Sequence, residues 1–185
     1  MEKAEYIVFE VQGEASKDLM ATAVVSSIKQ AHPNKKIVVS THNPDIWLHN
    51  PDIYRVYNLQ HLSYFYDDFV KDRDTIIYKQ DPYSHTDFLT KKKHLIDIWC
   101  DMCGVEKKQE LPKIHLTARE EEVGKGIIEQ HSHKSPTCII QTNGITGIMP
   151  YPINFSRDLH NQTIQEVVTY LQKNRYIVFH IKTPN

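Results

Sequence analysis

Short apolar segments alternate with helical patterns over the first hundred residues of this 185-residue chain. Apolar residues recur every three or four positions across residues 18–31, which predicts a helix with one buried face. This helix lies between two β-branched segments, so the pattern indicates a βαβ unit with parallel strands. Four segments are rich in β-branched and aromatic residues and are predicted strands: Tyr6–Val11, Lys36–Thr41, 53–57 and Thr75–Tyr78.

The ends of the helices can also be read from the sequence. Ser16 is suited to cap the first helix, and Pro33 ends it. A second apolar stripe predicts a helix over Leu95–Met102, which Gly104 can terminate. Residues 61–71 are predicted to be helical or irregular. Residues 111–116 are predicted to be extended, and 119–131 to be helical.

The alternation restarts after the polar segment 131–136, which ends in a proline. A strand, a long loop, a helix and a strand follow in order: 137–142, 143–159, 163–173 and 175–181. Two strands with one helix do not make a self-sufficient domain. The sequence therefore predicts an α/β fold of Rossmann-like βαβ units with a mostly parallel sheet, in which residues 1–133 form one domain and 134–185 the beginning of a second.

Composition and charge narrow the class of protein. The chain has 22 Lys and Arg against 23 Asp and Glu, and this balance argues against a nucleic-acid partner. No apolar run approaches the roughly 18 residues of a membrane span, and the first residues lack the apolar stretch of a signal peptide. Three cysteines are too few for a disulfide framework, so we expect a globular protein of the cytoplasm.

Candidate chemistry lies in the loop after the first strand, where open α/β sheets bind their ligands. Residues 12–18 contain neither the G-x-G-x-x-G of a dinucleotide site nor a phosphate-binding loop. They do place Asp18 near the first turn of the helix, whose positive end favours an ionised carboxylate. Such a carboxylate can act as general base toward a hydroxyl. The alternative, which position alone favours, is that Asp18 only complements the helix dipole.

Several stretches of the sequence share the order and character of one enzyme family. A strand leads into Asp-Leu-Met-Ala-Thr at Asp18, the helix runs to Pro33, and a second helix ends at Gly104. These features resemble the N-terminal half of the heptosyltransferases, glycosyltransferase family 9, with Lys17 where the family usually has Gly. The similar segments are 16–33, 36–40, 50–56 and 94–104, with weaker matches at 138–144 and 151–158.

The resemblance implies a GT-B arrangement, in which the first Rossmann-like domain binds the acceptor and the second binds a nucleotide-sugar donor. It also implies metal-independent, inverting transfer of the sugar to an acceptor hydroxyl, with Asp18 as the base. On the acceptor side it places Gly13, Ser16 and Lys17. On the donor side it places Asn143, Gly144 and Arg157.

The donor side departs from the family pattern. No Lys or Arg lies between Gly144 and Asn154 to contact donor phosphate, so this role is unfilled unless Arg157 takes it. The family's later Asp-(Ser/Thr)-Gly…His segment would lie beyond Asn185. Two hypotheses follow: a sugar-transferring enzyme, or a truncated, non-catalytic binding or assembly module derived from one. The expected partners of the enzyme are a nucleotide sugar and a glycan or lipid-linked acceptor. Contact with the inner face of a membrane and a homo-oligomeric state are compatible with either hypothesis.

Two other groups of residues have alternative interpretations. Cys100 and Cys103 lie one helical turn apart and could bind zinc with His94, His131 and His133. Because no second pair has a known ligand spacing, and both thiols lie near an apolar stripe, we favour core packing and predict no metal site.

The run of three lysines at 91–93 could bind an anionic acceptor or a lipid surface, but a solvated face is the preferred interpretation. Five aromatic residues could stack on a sugar or complete a core: Tyr54, Tyr57, Tyr64, Phe65 and Tyr66.

Overall fold

A computed structural model describes residues 6–108, 111–132, 135–141 and 159–181 of the chain. The chain divides into two compact units, residues 1–117 and 118–185. The sequence predicts a domain boundary between residues 133 and 134. This position lies inside the second unit, and the boundary remains a prediction.

The first unit is built on a four-stranded sheet in the order β3-β2-β1-β4, with every pair parallel. This confirms the α/β class and the first βαβ unit. The strands are β1 (Tyr6–Val11), β2 (Lys36–Thr41), β3 (Ile53–Asn58) and β4 (Thr75–Tyr78). The helices are α1 (Ala15–Ala31), α2 (Phe65–Phe69), α3 (Thr86–Leu89) and α4 (Leu95–Met102), with 3₁₀ turns at Pro44–Trp47 and Pro82–Ser84.

Both faces of the central strands are covered, which explains why β1 and β2 are continuous apolar runs. Because side chains alternate along a strand, Ile7 and Phe9 face one apolar cluster while Tyr6 and Val8 face another. The first cluster includes buried side chains of α1 and α4. In it, the ring centres of Phe9 and Trp99 lie 5.4 Å apart.

The predicted aromatic group is divided by this arrangement. Phe65 and Tyr57 pack edge-on at 5.2 Å and both contact Phe69 of the second cluster, so they complete a core. Tyr64 and Tyr66, in contrast, are exposed.

The second unit contains α5 (Ala118–Ser132), β5 (Thr137–Gln141), α6 (Asn161–Lys173) and β6 (Ile177–Ile181). The strands β5 and β6 pair in parallel, in register from Thr137 opposite Ile177 to Gln141 opposite Ile181. The predicted second βαβ unit is therefore present. None of the described helices is both long and apolar enough to cross a membrane.

One predicted helix end is wrong. The chain turns at Gly13, whose φ of 132° is accessible to glycine, and α1 then begins at Ala15. Glu14 is the N-cap residue and its side chain makes no capping hydrogen bond. Ser16 is consequently inside the first turn and does not cap the helix.

Candidate functional site

Asp18 lies fully buried in the first turn of α1, at the carboxyl ends of the strands. Its Oδ1 accepts hydrogen bonds from Thr41 Oγ1 and from Trp47 Nε1, both at 2.6 Å. Its Oδ2 accepts one from Asn43 Nδ2 at 2.8 Å. Three donors and the positive end of α1 compensate the burial of an ionised carboxylate.

The partners of Asp18 come from segments that parallel pairing brings to the same edge of the sheet. Thr41 ends β2 beside the end of β1, with Val11 opposite Thr41 in register. Asn43 follows, and its backbone N–H donates to Thr41 Oγ1 at 3.0 Å, so the Thr41 hydroxyl hydrogen is directed to Asp18. Trp47 ends the 3₁₀ turn. Asp18 thereby ties α1, β2 and the turn together.

Lys17, which precedes Asp18, is also buried. Its Nζ lies 2.9 Å from Asp81 Oδ1, and 5.6 and 5.7 Å from the ring centres of Tyr83 and Trp99. Burial raises the pKa of Asp81, but hydrogen bonds from Lys17 and from the backbone N–H of Tyr83, with the charge of Lys17, outweigh it, so the pKa is lowered. Lys17 therefore has a partner within the fold.

The other predicted acceptor-side residues lie at the surface, Gly13 in the loop and Ser16 in the first turn of α1. Gly13 and Ser16 are exposed, and the Gly13 carbonyl accepts a hydrogen bond from Asn43 Nδ2 at 3.1 Å. A Cβ at Gly13 would lie 3.3 Å from Lys17 Cδ, so a larger residue there would press on the buried lysine. The loop thus brings Gly13, Ser16, Lys17 and Asp18 together. The predicted donor-side residues Asn143, Gly144 and Arg157 lie outside the described residues.

Sequence reasoning identified Asp18 but missed the three residues that hold it. Thr41 and Asn43 could have been inferred from the sequence. They lie at the end of β2 and just after it, as Asp18 lies after β1, so all three belong to the same edge of a parallel sheet. Trp47 could not have been inferred. Its approach depends on a short 3₁₀ turn that local pattern does not specify.

The cysteine pair belongs to the core. Cys100 and Cys103 are almost fully buried in the first apolar cluster. Burial raises the pKa of Cys103 to about 12, with a further contribution from Cys100, and burial also raises the pKa of Cys100. His94 caps α4 by accepting from the Ile96 N–H at 3.3 Å. Within the described ranges no three His, Cys, Asp or Glu side chains are grouped to hold a metal, and His133 lies outside them.

The lysine run before α4 faces solvent, as its short length suggests. Lys91, Lys92 and Lys93 are all exposed, and Lys93 pairs with Asp101 at 2.7 Å. The described side chains therefore fit the solvated-face interpretation of this run.

The fold is that of heptosyltransferase-like proteins of glycosyltransferase family 9. The chain aligns over 99% of its length with a glycosyltransferase family 9 structure from Veillonella parvula, with a TM-score of 0.73 and 12% identity. It also aligns over 95% with ADP-heptose lipopolysaccharide heptosyltransferase II of E. coli, with a TM-score of 0.61 and 9% identity.

A third similar structure is TibC of enterotoxigenic E. coli, described as a dodecameric iron-containing heptosyltransferase in complex with ADP-D-β-D-heptose. The TM-score is 0.59, with 13% identity over 97% of this chain. The chain spans 63%, 63% and 42% of the lengths of the Veillonella, E. coli and TibC chains, respectively. No family model and no curated protein matches the sequence.

Proposed function

We propose that this chain forms part of a GT-B glycosyltransferase of heptosyltransferase type, which transfers a sugar from a nucleotide-sugar donor to an acceptor hydroxyl. The observation that carries the proposal is a buried aspartate at the carboxyl-end edge of the first sheet, in a fold shared with heptosyltransferases. The ADP-heptose bound to TibC supports a nucleotide sugar as donor, and the dodecamer supports homo-oligomeric assembly. We further propose a cytoplasmic location, with a glycan or lipid-linked acceptor.

The two oxygens of Asp18 differ in a way that suits base catalysis. Among the described residues, Oδ1 accepts from two buried donors, whereas Oδ2 accepts from Asn43 alone, which is half-buried. Because Asp18 is fully buried, this step requires Asn43 to move aside, after which an acceptor hydroxyl donates its proton to Oδ2 while its oxygen attacks the anomeric carbon. The bond from that carbon to the nucleoside diphosphate breaks on the opposite face, which inverts the configuration. The proposed step uses no metal.

The remaining assignments complete this proposal. Gly13 and Ser16 present exposed loop atoms to the acceptor, and Lys17 holds the loop through Asp81. Asn143, Gly144 and Arg157 are proposed to contact the donor, on the resemblance alone.

A second candidate function is a non-catalytic binding or assembly module. The specific observation in its favour is the burial of Asp18, since three hydrogen bonds between elements explain the residue as a structural tie. In this alternative the edge of the sheet binds a ligand or partner without transferring a sugar.

The test compares Asp18→Asn with Thr41→Val in the longest product of the gene. An asparagine can still accept from Thr41 and Trp47 through its Oδ1, but its amide nitrogen can neither accept from Asn43 nor take a proton. Thr41→Val likewise removes one hydrogen bond but leaves the carboxylate. We expect Asp18→Asn to lower transfer from ADP-heptose or another nucleotide sugar by about 10²–10⁴-fold. Thr41→Val, the matched control for loss of stability, should retain transfer within a few-fold.

One outcome would overturn the assignment of Asp18, and another would decide between the two candidates. If Asp18→Asn transfers sugar at the wild-type rate, Asp18 is not the base. If calorimetry detects no nucleotide sugar bound to the folded wild-type protein, the binding module is favoured over the enzyme. Thermal unfolding of each variant shows whether a loss of activity only reflects a loss of fold.

A further inference from the structure

A polar cleft of about 200 Å³ lies along α1 in the first unit, away from the Asp18 edge. Its walls come from Thr22 and Ser26 of α1, from residues 50–52 before β3, and from Lys113 and His115. Thr22 and Ser26 follow Asp18 by one and two turns, about 6 and 12 Å along the helix axis. The cleft therefore runs toward the amino ends of the strands, and Asp18 does not line it.

The walls of the cleft are held by one hydrogen bond between distant parts of the chain and one within a tight turn. The backbone N–H of Lys113 donates to Thr22 Oγ1 at 3.0 Å, which fastens the segment 111–116 to α1. Asn50 is buried, and its Oδ1 accepts from the N–H of Asp52 at 3.0 Å. The backbone of these lining segments is thus held in place by the fold.

Four polar side chains of the cleft have no partner within the described part of the chain: Ser26, Asp52, Lys113 and His115. Lys113 and His115 alternate on one segment, as do side chains on one side of an extended chain. They supply a cation and an imidazole to one wall. The Asp52 carboxylate and the Ser26 hydroxyl supply acceptors and a donor elsewhere in the lining.

We propose that this cleft binds a small phosphorylated sugar, with the phosphate at Lys113 and His115 and the hydroxyls at Asp52 and Ser26. A lysine ammonium and an imidazole N–H donate to phosphate oxygens, whereas a carboxylate accepts from sugar hydroxyls. Asp52 repels the phosphate of either ligand, but only an ester that carries hydroxyls gains hydrogen bonds to this carboxylate, so the ester is favoured. The volume of about 200 Å³ lies below the roughly 300–1,000 Å³ of typical ligand pockets, which limits the ligand to the size of a single phosphorylated monosaccharide. The site is separate from the proposed sugar transfer and does not depend on it.

The experiment titrates the 185-residue chain with glucose 6-phosphate, inorganic phosphate and glucose, followed by NMR chemical shifts. We expect glucose 6-phosphate to bind at least about tenfold more tightly than either other probe, with shifts at Ser26 and His115. Lys113→Met keeps the backbone N–H that donates to Thr22 and should weaken this binding about tenfold. Lys71→Met, an exposed lysine of the same unit, is the matched control and should leave it unchanged.

Asp52→Asn distinguishes a sugar phosphate from a free anion. It should narrow the preference for glucose 6-phosphate over inorganic phosphate, because only the ester loses hydroxyl contacts to the carboxylate, whereas the relief of charge repulsion is common to both. The proposal is overturned if inorganic phosphate binds as tightly as glucose 6-phosphate, if Lys113→Met has no effect, or if none of the three probes shifts the cleft residues.

Discussion

The two units contain the same βαβ motif in very different surroundings. In the first unit, β1 and β2 are flanked by further strands and covered on both faces, and Ile7, Phe9, Val38 and Val39 are almost completely excluded from solvent. In the second unit, β5 and β6 pair only with each other among the described residues. Ile139 of β5 is 63% exposed there.

The difference shows that a strand pattern specifies an element but not its burial. The segments Tyr6–Val11 and Ile177–Ile181 have similar apolar composition. Their contribution to stability differs because burial of apolar area, not strand formation, supplies most of the favourable free energy. The first unit should therefore be stable largely through its own core, and the second unit should depend less on any single apolar side chain.

The largest expected effect compares Phe9→Ala with Phe179→Ala. Phe9 is fully buried against Trp99, and we expect its loss to lower the free energy of unfolding by about 3–5 kcal/mol. Phe179 is half-buried, and its loss should cost about 1 kcal/mol. Both tryptophans of the chain, Trp47 and Trp99, lie in the first unit, so urea unfolding followed by tryptophan fluorescence measures the effect of Phe9→Ala. Urea unfolding followed by circular dichroism, which includes the second unit, measures the effect of Phe179→Ala.

This comparison can fail clearly. If Phe179→Ala lowers the free energy of unfolding as much as Phe9→Ala does, the difference in burial between the two side chains does not determine their contributions to stability. Circular dichroism of both variants is the control, because it follows the helices of both units.

The next prediction concerns the three thiols. Cys100 and Cys103 are buried in the first unit and their pKa values are raised, to about 12 for Cys103, so few thiolates exist there at pH 8. Cys138 of the second unit is half-buried. We expect Cys138 to react with iodoacetamide about 100-fold faster or more under native conditions. Peptide mass spectrometry after timed labelling measures this, and equal labelling of the three residues would contradict the burial of the pair.

Much of the first unit was predictable because its sequence signals are strong and local. The β1, β2, β4 and α4 segments have the bounds that periodicity suggests. The start of α1 was not predictable from Ser16, because the turn at Gly13 lets the helix begin earlier.

The site was predictable only in part, for a physical reason. Asp18 stood out through its position in a first helical turn, which is a local property. Its partners Thr41, Asn43 and Trp47 lie 23 to 29 residues away in the chain, and the Lys17 partner Asp81 lies 64 residues away. Contacts at such separations arise from the parallel pairing of strands and from loop geometry, neither of which leaves a local pattern.

A smaller effect concerns a type of helix N-cap, a histidine side chain, that occurs once in each unit. His94 caps α4 and His160 caps α6, each by accepting a backbone N–H two residues ahead at 3.3 Å. We expect His94→Ala to lower the free energy of unfolding by about 1 kcal/mol, and His94→Asn to restore it, since asparagine is a strong capping residue. His160→Ala should reduce the helical circular dichroism of the second unit while leaving the tryptophan transition unchanged. An unaltered stability in His94→Ala would show that the cap is not used in solution.

The smallest effect compares one ion pair from each unit. Lys17 and Asp81 pair at 2.9 Å with the lysine buried, whereas Lys125 and Glu121 of α5 lie 3.7 Å apart and both are exposed. We expect Asp81→Asn to cost about 0.5–1 kcal/mol and Glu121→Gln about 0.3 kcal/mol or less, because exposed pairs are screened by solvent.

The pH dependence separates the charge of Asp81 from its packing. Because the pKa of Asp81 is lowered in the folded protein, its ionised form adds stability that is fully present above the ordinary carboxyl pKa of 3.8. That stability is lost as the pH falls below this value and through the lowered pKa of the folded state. The difference in unfolding free energy between wild type and Asp81→Asn should therefore be constant near neutral pH and shrink on acidification toward pH 3. Under strongly acidic conditions the carboxylate of the wild-type protein is neutralised as well. A difference that persists there would mean that the substituted side chain disturbs the turn at Pro82–Ser84 rather than the ion pair.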